Sequence, residues 1–133
     1  MNWRELLMLE LKGTYAVTEK LMSRVNDADL GWKPTTGTNW MTTGQVLMHL
    51  TNACGFCFKG FVTGDWGMPE KDEAKEDAPE GMLLPAEKLP TVESVAEALK
   101  LLAEDKSMAL DMLAKCSDAD LASKMVDAPW NPN

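Results

Sequence analysis

The chain carries a single histidine, His49. Neutral imidazole is the commonest protein metal ligand and also the side chain that titrates nearest pH 7, so His49 is the first candidate for chemistry. Cys54 and Cys57 form a Cys-x-x-Cys, a spacing that is redox-active in a thioredoxin-like setting. Here it falls within a helical pattern with no βαβ unit around it, and core packing is its expected role. Nor can these thiols share a zinc ion with His49 on one straight helix. Cys57 lies about 12 Å of rise further on, and Cys54 about 140° round the wheel. The three cysteines of the chain, odd in number and few, form no disulfide framework.

Two further charged residues stand out on helical wheels. Glu10 and Thr14 fall near the centre of the apolar stripe of the first helix, with Thr18 at its margin. Lys106 falls among Leu99, Leu102, Leu110 and Leu113. An unpaired buried charge is costly, so Glu10 and Lys106 are expected to pair, to reach solvent at a bundle edge, or to line a polar cavity.

The elements that must position these groups are helices. Trp3, Leu6, Leu7, Leu11, Val17, Leu21 and Val25 recur at helical spacing and predict a first helix over residues 3–25. Residues 26–39 are rich in turn formers and read as a loop, its tryptophan expected to pack on the bundle. Thr42-Thr43-Gly44-Gln45 fits a capping box and starts a second helix that runs to Thr63, where Gly64 can stop it. Val46, Leu50, Ala53, Cys57, Gly60 and Phe61 form its apolar stripe, with His49 and Phe56 on one shoulder, so His49 is expected to face the interior or its edge. Pro69, Pro79, Pro85 and Pro90 exclude a long helix from residues 65–90, where eight acidic residues stand against three lysines. That segment reads as a long, solvated loop. Thr91 then caps a third helix with an inner stripe of Val92, Val95, Leu99, Leu102, Ala103, Leu110 and Leu113. Ser117-Asp118-Ala119-Asp120 starts one more short helical turn.

Length and composition suit one domain over residues 1–133, with 45% apolar and 26% charged residues. A formal charge of −8 without a basic cluster argues against nucleic acid. No basic leader with an apolar run appears, and no window approaches the roughly 18 apolar residues of a membrane span. A soluble cytoplasmic protein is expected. The fold class is all-α, a helical bundle whose long connections allow crossovers.

The order of these features resembles the DinB family of DinB/YfiT-like metalloenzymes, which includes bacterial damage-inducible proteins and thiol-dependent transferases. The resemblance is carried by Leu30-Gly31-Trp32-Lys33-Pro34, by the entry Asn39-Trp40-Met41-Thr42-Thr43-Gly44-Gln45-Val46-Leu47-Met48-His49-Leu50, and by the helical pattern over residues 91–121. It implies a four-helix bundle holding a divalent metal, often nickel or zinc, through one histidine of the second helix and a His-x-x-x-His pair on the fourth. Only the first ligand carries over, onto His49. The pair would belong beyond residue 133, and Trp130-Asn131-Pro132-Asn133 resembles the link into that helix. A fragment of a longer protein is therefore expected, in preference to a shortened member that has lost the site.

The resemblance implies a metal-dependent enzyme of thiol-transferase or hydrolase type, with His49 as one metal ligand; the wheel of the first helix adds Glu10 as an inner-face carboxylate partner. With one imidazole, the 133-residue chain is expected to hold metal weakly or not at all. A second reading is a non-catalytic helical module that associates through an uncovered face, and a third is a small-molecule-binding protein using its Trp and Met residues. Three inner stripes without a fourth leave an open side. A homodimer is the expected way to bury it.

Overall fold

In the computed structural model, which describes residues 2–67 and 84–128, every regular element is helical. The first helix, α1 (Trp3–Met22), is opened by Asn2, whose side chain accepts from the Glu5 amide while Glu5 reaches back to the Asn2 N–H. This capping box satisfies two amides that otherwise lack partners. The buried face of α1 carries Leu11, Tyr15 and Met22, with Leu7 and Met8 packed beside them. Met8, Tyr15 and Met22 repeat at seven-residue intervals, so large flexible or aromatic residues define this face.

Helix α2 (Thr43–Leu50) starts at the capping box expected at Thr42 and Gln45. Gln45 does more than cap. Its buried amide nitrogen donates to the carbonyls of Ala86 and Leu89, and Asn39 accepts from the Ala86 amide, so the segment ahead of the next long helix is tied to the entry of α2. The chain then breaks at Thr51, Asn52 and Ala53 and resumes as α3 (Cys54–Thr63), which Gly64 ends in the left-handed conformation at φ 76°. Helix α4 (Val95–Ala114) is capped by Ser94. It lies centrally, packing against α1 on one side and α3 on the other. Ala98 and Ala109 are fully buried on it, and their small side chains permit close approach of the neighbouring helices. Short helix α5 (Asp118–Ser123) begins at a Ser117–Asp120 capping box, and Asp118 accepts from the Arg4 amide to join α5 to the start of α1.

The all-α bundle expected from the sequence is present, with several differences in detail. The second helix is two helices, the latter capped from another helix as described below. The third starts at Val95, since Ser94 and not Thr91 supplies the N-cap, and the first ends at Met22. Trp32 and Trp40 do not pack on the bundle: they are 64% and 50% exposed. Trp40 instead donates its indole N–H to the Thr36 carbonyl, closing the loop on itself. Most of the acidic segment, residues 68–83, and the Trp130-Asn131-Pro132-Asn133 link lie outside the described residues. Among the described residues no helix is long and apolar enough to cross a membrane.

The wheel of the first helix is rotated from its expected position. Glu10 and Thr14 are exposed, as are Trp3, Leu9, Val17 and Leu21, each more than half accessible. The helix is apolar on two sides, and the side carrying Met8, Leu11, Tyr15 and Met22 wins because it meets α4. The side carrying Trp3, Leu6, Val17 and Leu21 is the open one.

Candidate functional site

His49 lies in the last turn of α2 and is exposed, correcting the expectation of an interior or edge position. Leu47 is buried in the core, and two residues further on His49 stands about 160° away from it round the helix. Val46 and Leu50 flank it and are 38% and 40% exposed. The imidazole is thus displayed between two partly exposed aliphatic side chains. Among the described residues no group of three or more His, Cys, Asp and Glu side chains is arranged to hold a metal ion. The described residues by themselves therefore do not fit a bound divalent metal, although His49 has the right donor chemistry.

The buried charge of the bundle is neither Glu10 nor Lys106. Glu10 borders a shallow exposed groove with Leu9, Gly13, Thr14 and Val17, while the half-buried Lys106 lies by Tyr15, Glu19 and Leu102. Among the described residues the buried charged side chain is Asp105, 5% exposed. Its Oδ2 accepts from the Tyr15 hydroxyl at 2.6 Å, and its Oδ1 accepts from the Gly55 amide at 2.9 Å. Ala53, the residue before α3, makes no side-chain cap. Asp105 of α4 performs that task from across the interface, and a carboxylate at a helix N-terminus also complements the helix dipole. A Cβ on Gly55 would lie 2.5 Å from Asp105 Oδ1 and 2.7 Å from its carbonyl oxygen, so a glycine is required where the helices touch.

This cap moves the Cys-x-x-Cys. It does not lie in mid-helix: Cys54 is the first residue of α3 and Cys57 the fourth. Both are half-buried, and Cys116, in the turn between α4 and α5, is buried. All three cysteines line one cleft of about 560 Å³ between α3 and the corner where α4 turns into α5. Phe58, Phe61 and Leu121 give it apolar walls.

The electrostatics of this region are those of a desolvated polar cluster. Burial raises the Asp105 carboxyl above its ordinary range, against the opposing pull of the hydrogen bonds from Tyr15 and the start of α3. Burial, followed by the bond to Asp105, pushes the Tyr15 phenol far up. Burial also raises the Cys54 thiol, while a hydrogen bond with Tyr15 pulls it down. Tyr15, Asp105 and the Gly55 amide therefore form a hydrogen-bonded chain that ends at the helix cap, with Cys54 beside Tyr15 at the cleft.

Sequence reasoning finds His49 and the cysteines but misses Asp105 and Tyr15. The available signals are an aspartate on the inner side of α4 and a glycine beside the first cysteine.

A family model, the DinB superfamily, matches residues 10–133 of the chain. No curated protein matches it. No solved structure matches it either. Four-helix architecture in that superfamily accords with the all-α bundle seen here, with α1, the α2–α3 pair and α4 as its long components. The match spans nearly all the chain, from Glu10 within α1 onward, and the chain belongs to the DinB superfamily.

Proposed function

We propose that the chain is a DinB-superfamily enzyme of metal-dependent thiol-transferase or hydrolase type, active in the cytoplasm as a single domain, in which His49 supplies one ligand to nickel or zinc. The observation that carries this reading is the display of His49 between Val46 and Leu50 on the outer side of α2. An imidazole set among accessible aliphatic groups suits a site that forms when the face is covered, and imidazole is a good donor to either cation. The further ligands would come from whatever covers that face. His49 would then bind and orient the cation, while the aliphatic pair would exclude water from its coordination sphere.

Metal analysis of the dialysed protein, alone and with added nickel or zinc, tests the assignment. Weak binding that His49→Ala removes, with the helical content unchanged, is the expected result. Binding of equal strength in His49→Ala would overturn it.

A second reading, association without catalysis, is favoured by the exposed stripe on α1. Trp3, Leu6, Leu9, Val17 and Leu21 are 38% to 62% exposed, and soluble monomers seldom leave such a stripe uncovered. A homodimer across this stripe is the form proposed, and it is compatible with the metal reading.

A further inference from the structure

The break before α3 changes what the Cys54–Cys57 pair can do. Neighbours three apart on a helix have Cβ atoms about 5–6 Å apart, whereas a disulfide needs about 3.5–4.5 Å. In the middle of a helix, hydrogen bonds on both sides resist that tightening. In the first turn they do not, because the leading amides have no intrahelical partner. Cys54 and Cys57 occupy that first turn, and the cap on it is a single side-chain bond, from the Gly55 amide to Asp105.

The surroundings divide the two thiols by role. Cys54 packs against the core beside Tyr15, whose hydroxyl donates to Asp105. Cys57 lines the cleft without belonging to the core cluster. The cleft volume, about 560 Å³, is in the range that admits a small molecule.

We propose that Cys54 and Cys57 form a reversible dithiol–disulfide couple that exchanges with low-molecular-weight disulfides entering this cleft. Cys57, having released its proton to water, attacks one sulfur of the incoming disulfide. That S–S bond breaks, a mixed disulfide forms on Cys57, and the first thiolate leaves and takes a proton from water. Cys54 then attacks the Cys57 sulfur and passes its proton by way of the Tyr15 hydroxyl to the Asp105 carboxylate. The Cys57–S bond to the small thiol breaks, the second thiolate leaves and takes a proton from water, and Asp105 returns its proton to solvent. The protein loses two protons and two electrons, and the small disulfide becomes two thiols. The activity is separate from metal binding at His49.

The test is equilibration of the full chain in buffers of oxidised and reduced glutathione, followed by acid quench, alkylation and mass spectrometry. Two of the three thiols should be lost together as one Cys54–Cys57 disulfide, and Cys116→Ser should behave like the parent. Cys54→Ser should accumulate glutathione on Cys57, and Cys57→Ser should form no intramolecular disulfide. Three alkylated thiols at every buffer ratio, or a disulfide that includes Cys116, would overturn the proposal. So would an equal exchange rate in the urea-unfolded chain, since the fold would then contribute nothing.

Discussion

Asp105 caps a helix that is not its own: from α4 its Oδ1 accepts the amide of Gly55, 50 residues earlier in the chain, at 2.9 Å. The contact requires a glycine, and Gly55→Ala should lower stability by about 1–3 kcal/mol, the usual cost of forcing an extra methyl into a packed site. Gly13 offers the control. It lies in α1, where an added Cβ would meet nothing within 4 Å, so Gly13→Ala should stabilise by about 0.5–1 kcal/mol through helix propensity. Urea midpoints of the two variants should move in opposite directions.

The same aspartate gives stability a pH dependence of definite sign. Burial raises the folded-state carboxyl above its ordinary range, so the folded chain binds this proton more tightly than the unfolded chain does. Its contribution is fully present below the unfolded value and is lost as pH rises from there through the folded value. Asp105→Asn keeps an acceptor for Gly55 and an amide for Tyr15 but cannot titrate. The parent's stability, followed by urea denaturation from acid toward neutral pH, should fall across that window relative to Asp105→Asn. Parallel curves would remove Asp105 from the account.

The helices are legible in the sequence where local chemistry decides them. The Thr42–Gln45 box, the helical start at Ser117 and the Gly64 stop all appear as expected, because each is written within a few neighbouring residues. The division between α2 and α3 is not legible, since the side chain that caps the start of α3 is an aspartate 50 residues away. The inner face of α1 escapes a helical wheel for a related reason. Trp3, Val17 and Leu21 look as apolar as Met8, Tyr15 and Met22, and only the position of α4 chooses between the two stripes. His49 suffers from the same limit, its outward position following from the burial of Leu47.

If the open side of α1 is covered by a second copy, a charge placed in it should separate the copies. Val17 is 58% exposed in the single chain, so Val17→Glu should leave the fold intact. Sedimentation at micromolar concentration should find a dimer for the parent and a monomer for Val17→Glu, with the same helical content. A monomeric parent with well-dispersed spectra would leave this stripe without a self-partner.

Glu10 and Lys106 provide a last contrast, because a buried ion pair and two separate surface charges respond oppositely to removal of the acid. A buried pair that loses its carboxylate strands an ammonium and costs about 3–5 kcal/mol. Glu10 is exposed by a groove with Val17, whereas Lys106 lies by Tyr15 and Glu19. Glu10→Leu should therefore change the unfolding free energy of the monomer by no more than about 0.5 kcal/mol, as for other surface sites. Combined with Lys106→Met, its effect should be additive. Tyr15→Phe, by comparison, removes the hydroxyl from a buried carboxylate oxygen and should cost about 1–3 kcal/mol. The leucine at position 10 would also enlarge the apolar stripe, so at higher protein concentration Glu10→Leu should gain stability relative to the parent as association strengthens. Urea melts at two protein concentrations separate these effects. A large concentration-independent loss in Glu10→Leu, recovered by Lys106→Met, would restore the ion pair.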